Sequence, residues 1–163
     1  MTFNLKLISK RDIVLMLAIL ILDQVSKQWI VSNFKEFDSL TVTSFFNIVR
    51  VHNPGAAFSF LANAGGWQHY FFISLALLVC TYLLREMSKT DNNRGLCLSY
   101  SLVICGAVGN VIDRIRFKYV VDFLDFHLAT THWPAFNVAD SAICIGAALM
   151  IWNEVIRVKT VNQ

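Results

Sequence analysis

The chain has 163 residues, of which 56% are hydrophobic and only 15% charged. A soluble domain carries roughly a quarter charged residues, so this balance excludes an ordinary soluble domain and fits one membrane-embedded domain over residues 1–163. The net charge of +3 is too small to suggest a nucleic-acid partner, and the basic residues cluster between apolar runs, where they set topology.

Crossing a hydrocarbon core of about 30 Å takes around 20 helical residues. Four stretches are long enough, at about 12–31, 67–84, 95–112 and 137–156. Lys6, Lys10 and Arg11 precede the apolar run Ile13–Leu22, as they would in a secretory signal. No Ala-x-Ala-type site follows, and the segment continues through Asp23 and Lys27 to Val31, so a retained helix is expected. Asp23 and Lys27 are spaced i,i+4, acid first, and can pair on one helix face.

The connection at about 32–66 is rich in β-branched and aromatic residues at Leu40–Thr43 and Phe45–Val51, which predicts short strands. Asn53-Pro54-Gly55 is a turn signal. Phe45, Phe46, Phe58 and Phe60 either rest a β-element on the membrane surface or are apolar anchors of a plain loop. The third span carries Ser99, Ser101, Gly106, Ala107 and Gly109, and the fourth Ala142, Gly146, Ala147 and Ala148. Small residues let membrane helices approach closely, which would bring the polar ends of these two spans together. The second long connection, at about 113–135, holds a strand-like run Tyr119–Phe123. Alternation there places Tyr119, Val121 and Phe123 on one face and Val120 and Asp122 on the other.

Basic residues then fix the orientation. With the N-terminus inside, Lys6, Lys10, Arg11, Arg85, Lys89, Arg94, Arg157 and Lys159 are cytoplasmic, against Lys35, Arg50, Arg114, Arg116 and Lys118 outside. Both termini are expected in the cytoplasm. Cys80, Cys97, Cys105 and Cys144 lie in apolar segments without Cys-x-x-Cys spacing, so they are expected as packing residues rather than disulfide partners. No lipobox-like stretch precedes a cysteine near the N-terminus, so no lipid anchor is expected on the chain itself.

Two acids stand out, Asp122 between apolar neighbours and Asp140 at the mouth of the fourth span. A carboxylate beside hydrocarbon is costly to ionise and usually has a partner and a role. Two brought together can share one proton, one serving as base and the other as acid. Each has a plainer reading. Asn137 can cap the fourth helix with Asp140 favourably placed in its first turn. Asp122 can be a solvated loop acid, and Asp125 can lie nearby or face water. Asn110, Asp113 and Arg114 share a helix face if the third helix persists. Asp113 and Arg114 then form a structural ion pair, or Arg114 steadies the loop carrying Asp122. Asp122, Asp125, His127 and His132 match no strong metal-ligand spacing. Ser26 and Lys27 are adjacent on a helix and point apart, so they make no dyad. A proton- or cation-coupled exporter is a rival reading, but such a site belongs near the midplane, whereas these acids crowd toward the helix ends. A purely structural membrane protein would leave the Asn-Asp-Arg cluster without a purpose.

Five blocks together resemble the bacterial lipoprotein signal peptidases, the type II signal peptidases. They are Asp23-Gln24-Val25-Ser26-Lys27, Asn53-Pro54-Gly55-Ala56-Ala57-Phe58, Gly109-Asn110-Val111-Ile112-Asp113-Arg114, Val120-Val121-Asp122-Phe123 and Phe136-Asn137-Val138-Ala139-Asp140-Ser141, in the family's order. The resemblance implies an aspartic endopeptidase of the bacterial inner membrane. Its substrate would be a prolipoprotein carrying a diacylglyceryl group on the lipobox cysteine, cut just before that cysteine. It implies Asp122 and Asp140 as the catalytic dyad. Asn53, Gly55, Asn110, Arg114, Asn137 and Ala139 would line or support the site, with Asp23 and Lys27 as further support. No metal or organic cofactor is implied, and the partners are the lipid-modified substrate and membrane lipid, with the enzyme a monomer. The expected fold is an all-α integral membrane protein of four transmembrane helices with a small β-rich extracytoplasmic cradle, and the active site near the outer face.

Overall fold

A computed structural model describes residues 9–55, 65–90 and 93–161, with side chains described to residue 158. Lys6, Ala56, Ala57, Phe58, Phe60 and the Lys159 side chain lie outside the described residues. The order of elements is α1 (Lys10–Asn33), β1 (Ser39–Thr43), β2 (Phe46–Asn53), α2 (Gln68–Met87), α3 (Arg94–Phe117), β3 (Val120–Leu128), β4 (Thr131–His132) and α4 (Val138–Val161).

All four expected spans are helices, each long and apolar enough to cross a membrane. Local chemistry sets several of their ends. The Ser9 hydroxyl accepts from the Arg11 N–H at the start of α1, and the Asn93 side chain accepts from the Leu96 N–H at the start of α3. α3 stops where Lys118 turns left-handed, at φ 68°, and returns its N–H to the Arg114 carbonyl. The helix thus runs past the expected boundary at 112, and Asp113 and Arg114 are helical residues rather than loop residues.

α3 is the central helix. In its most apolar stretch 61% of residues are buried, against 17% in α1 and α2 and 11% in α4. The other three helices pack around it and turn apolar side chains such as Leu17, Leu78 and Ile151 outward. Small residues set the α3–α4 distance, as expected. A Cβ on Gly106 would run into the Ala139 carbonyl oxygen and Ile143, and one on Gly146 would sit 2.8 Å from the Ser99 carbonyl oxygen. Cys80 and Cys105 are buried packing residues, and all four cysteines are free.

The label all-α is too narrow, but the small β-rich element expected beside the four helices is present. The two connections pair into a four-stranded antiparallel sheet in the order β1-β2-β3-β4. The expected short strands are β1 and β2, and they pair as an antiparallel hairpin with Leu40 opposite Ile48. β2 then pairs with β3, and a register shift between Ile48 and Val51 sets Val51 opposite Asp122. Such an irregularity re-aims the side chains beyond it. Phe123 and Leu124 both donate their N–H groups to the Phe136 carbonyl, which pins the residue before Asn137 onto β3. The expected alternation of faces along Tyr119–Phe123 holds, since Tyr119, Val121 and Phe123 join one apolar cluster while Asp122 turns to Asn53 and Asn137, but Val120, Val121, Asp122 and Phe123 are all buried. This end of the strand is covered on both faces, with Val121 and Phe123 packed against Ile30 of α1.

Candidate active site

The ends of α1 and α3, the starts of α2 and α4, and strands β2 and β3 meet at one polar cluster. Asp122 enters from β3 and is 2% exposed. Its Oδ1 accepts from Asn137 Nδ2 at 2.7 Å and its Oδ2 from Asn53 Nδ2 at 2.9 Å. Asp140 sits in the first turn of α4, where its N–H donates to Asn137 Oδ1 at 2.9 Å and its Oδ1 accepts from Asn110 Nδ2 at 2.8 Å. Asn137 therefore caps α4 and also holds Asp122. One amide links both acids, so the capping reading and the paired-acid reading hold together.

The amide orientations follow from what faces each oxygen. Asn53 Oδ1 accepts from the Gly55 N–H at 3.0 Å, which closes the turn and leaves its NH2 for Asp122. Gly55 in turn accepts on its carbonyl from Arg114 Nη2 at 2.8 Å. Arg114 Nη1 reaches the Asn110 carbonyl at 3.3 Å, and the guanidinium stacks over Phe72 of α2. Arg114 thus fastens the Asn53–Gly55 turn to α3, and through that turn it steadies Asp122. Its Nε is buried and has no hydrogen-bond partner among the described residues.

Below the acids lies a second buried layer. Lys27 Nζ meets Asp23 Oδ2, Asp113 Oδ2 and Asn110 Oδ1, each at 3.0 Å. The i,i+4 pair read from the sequence is present. The expected Asp113–Arg114 ion pair is not, because the two side chains leave α3 toward different neighbours and Asp113 turns to α1. Asp113 also accepts from the Val121 N–H at 3.2 Å, just before Asp122. Asp23 Oδ1 accepts from the Ala139 N–H at 2.9 Å, so a side chain of α1 satisfies a free donor at the start of α4. Gly109 allows this approach, since a Cβ there would lie 2.7 Å from Asp23 Oδ2.

Sequence reasoning missed Gln24, whose Nε2 reaches Asp23 Oδ2, the Gly109 carbonyl and Asp113 Oδ1 and so stitches α1 to α3. Its place inside the Asp23–Lys27 block was the available signal. Asn47 was missed as well. Asp125 does not face water, because Asn47 Nδ2 donates to it at 2.9 Å and His132 Nδ1 lies at a similar distance. Burial works against its ionisation, but these two partners outweigh it and hold its carboxyl below the usual range. Asp125 and His132 face each other on the sheet while Asp122 faces Asn53 and Asn137. Among the described residues no three acids, histidines or cysteines gather in a metal-holding group. Ser26 donates its hydroxyl to the Asp23 carbonyl and does not approach the Lys27 ammonium.

Burial, and then the nearby charge of Asp140, push the Asp122 carboxyl up to about 7, against the pull of Asn53, Asn137 and Lys27. The folded chain thus binds this proton more tightly than the unfolded chain. The stabilising contribution of protonated Asp122 is complete below about pH 4 and is lost as pH rises through about 7. Asp122→Asn imitates the neutral form. Thermal melts in detergent should show the variant above wild type at about pH 8, with the gap closing by about pH 4. A gap independent of pH would contradict this.

These features define an integral membrane protein whose buried polar groups concentrate at the sheet end of its helices. Residues 15–156 match the model of the family described as "Signal peptidase (SPase) II". A lipoprotein signal peptidase of Cupriavidus necator is 50% identical over 143 residues, covering 88% of this chain and 82% of that protein. One from Shewanella baltica is 52% identical over 132 residues, covering 80% and 77%. A solved structure described as "Bacterial membrane enzyme structure by the in meso method at 2.3 A resolution" aligns with a TM-score of 0.85 at 32% identity, covering 92% of this chain and 90% of that one. The chain belongs to the signal peptidase II family.

Proposed function

We propose that this chain is a single membrane-embedded peptidase domain that cuts diacylglyceryl-modified prolipoproteins just before the lipid-modified cysteine, with Asp122 and Asp140 as its catalytic pair. The observation that carries the reading is Asn137, which holds one acid by its NH2 and the backbone of the other by its carbonyl. Like charges this close raise one proton affinity of the pair, so the two acids carry one proton near neutral pH. The ionised acid takes a proton from a water held between them, and that water attacks the scissile carbonyl. The protonated acid donates to the carbonyl oxygen, and a proton then passes to the leaving amine as the C–N bond breaks. The buried Nε of Arg114, without a partner among the described residues, is a donor for a substrate carbonyl.

The proposed setting is the bacterial inner membrane, with both termini cytoplasmic and the sheet and acids at the outer face. The enzyme acts as a monomer. The outward apolar faces of the helices suit lipid, and the lipid tails of the substrate would stay in the bilayer and hold the cut site at its surface. Purified protein should cut a diacylglyceryl-modified prolipoprotein and leave the unmodified precursor intact. Equal cutting of both would overturn the lipid requirement, and cutting of neither would overturn the reading as a whole.

Arg114→Lys is expected to lower kcat/KM about 10- to 100-fold, because an ammonium cannot bridge the Gly55 and Asn110 carbonyls while stacking on Phe72. Steady-state cleavage of the same substrate measures it.

A further inference from the structure

We infer that Lys27 is a positioning residue for the proteolytic step, acting through the orientation it imposes on the Asn110 side-chain amide. The inference rests on the reading of Asp122 and Asp140 as the catalytic pair.

An ammonium group has three donors and no acceptor. Lys27 spends all three, on Asp23, Asp113 and Asn110 Oδ1, and is 3% exposed. Asn110 must therefore face Lys27 with its oxygen, which turns its NH2 toward Asp140 Oδ1 at 2.8 Å. A flipped amide would set an NH2 against an ammonium and a carbonyl oxygen against a carboxylate, with both contacts repulsive. Asn53 and Asn137 take their orientations from backbone N–H groups, those of Gly55 and Asp140. Asn110 differs, because the short contact that orients it comes from a side-chain charge on another helix, at 3.0 Å, with the Asn137 NH2 a longer second donor to the same oxygen at 3.4 Å.

The consequence falls on one oxygen of the pair. With Oδ1 of Asp140 fixed by Asn110, its Oδ2 meets no donor among the described residues. That oxygen is left for the water and its proton. Without Lys27, only the long 3.4 Å contact from the Asn137 NH2 holds the Asn110 oxygen, so the amide turns more readily and Asp140 loses a firmly fixed contact. Lys27 itself never touches the reacting atoms. It tethers α1 to α3 through Asp23 and Asp113, so the same side chain that ties the helices also sets the geometry of Asp140.

The test is a double-mutant cycle of Lys27→Met and Asn110→Ala, read by kcat and KM for a diacylglyceryl-modified prolipoprotein, with thermal melts of every variant. Lys27→Met alone should lower kcat about 10- to 100-fold with KM changed less than about 3-fold. On the Asn110→Ala background the same substitution should lower kcat by less than about 3-fold further. An equal loss on both backgrounds, or a loss confined to KM, would overturn the inference. If Lys27→Met does not fold, the cycle is repeated with Asp23→Asn added to every member. That change keeps the net charge of the cluster in the Lys27→Met variants and retains an acceptor for the Ala139 N–H. Asp122→Asn and Asp140→Asn are assayed alongside. Cutting by either would mean that the catalytic reading has failed. Two silent variants with an additive cycle would mean that only the role of Lys27 has failed.

Discussion

Asp122→Asn and Asp140→Asn are each expected to lower prolipoprotein cleavage on the order of 10³-fold or more with the fold retained. Asparagine keeps the shape of the side chain, and in each case it removes the one property the mechanism uses, the ability to exchange a proton. The hydrogen-bond frame allows the replacement. Asp122 is surrounded by donors from Asn53 and Asn137, and the amide oxygen of a substituted Asn can still accept one of them. Asp125→Asn is the control. Asp125 sits three residues along the same strand and faces Asn47 and His132 on the sheet. That variant should lower the melting temperature while retaining cleavage within about 10-fold of wild type. Retained cutting by Asp122→Asn or Asp140→Asn in the same assay would remove the pair from the mechanism.

Gly106→Val is expected to cost about 3 kcal/mol or more and to abolish cleavage. The added atoms would meet the Ala139 carbonyl oxygen and Ile143. The oxygen is backbone, so relief requires α4 to move away from α3. That movement would carry Asp140 away from Asn110 and weaken the Asp23 contact to the Ala139 N–H, since both bonds cross the same interface. Chemical denaturation and cleavage should fail together. A variant that melts like wild type would show that the helix pair has slack the structure does not display.

The parts of the site that were legible in the sequence are those made by neighbours along the chain. Asp23 and Lys27 are one helical turn apart, and Asn137 and Asp140 form a helix start, so spacing alone proposes both contacts. The four helices were legible for a similar reason, since length and hydropathy suffice to propose a span. The Asp113 partner was not. A neighbouring arginine looked sufficient, but the side-chain directions on α3 and the closeness of α1 give Asp113 to Lys27 instead. Asn47 was illegible, and Gln24 was marked only by its place in the Asp23–Lys27 block, because their partners, Asp125 and Asp113, become neighbours only after the sheet forms and the helices pack. The four-stranded sheet was half legible. The β1–β2 hairpin has strand composition, but the pairing of β2 with β3 joins segments on either side of two helices. The four consecutive buried residues in β3 also erase the alternation that would mark a half-exposed strand.

Asn137 also limits how the sequence can drift. At most helix starts, asparagine, aspartate and serine are nearly interchangeable, and neutral substitution among them is expected. Here the oxygen of the side chain begins α4 while the nitrogen holds Asp122. Aspartate would satisfy the helix and place a third negative charge between two acids. Serine would satisfy the helix and fall short of Asp122. A position that looks permissive by helix rules therefore admits one residue.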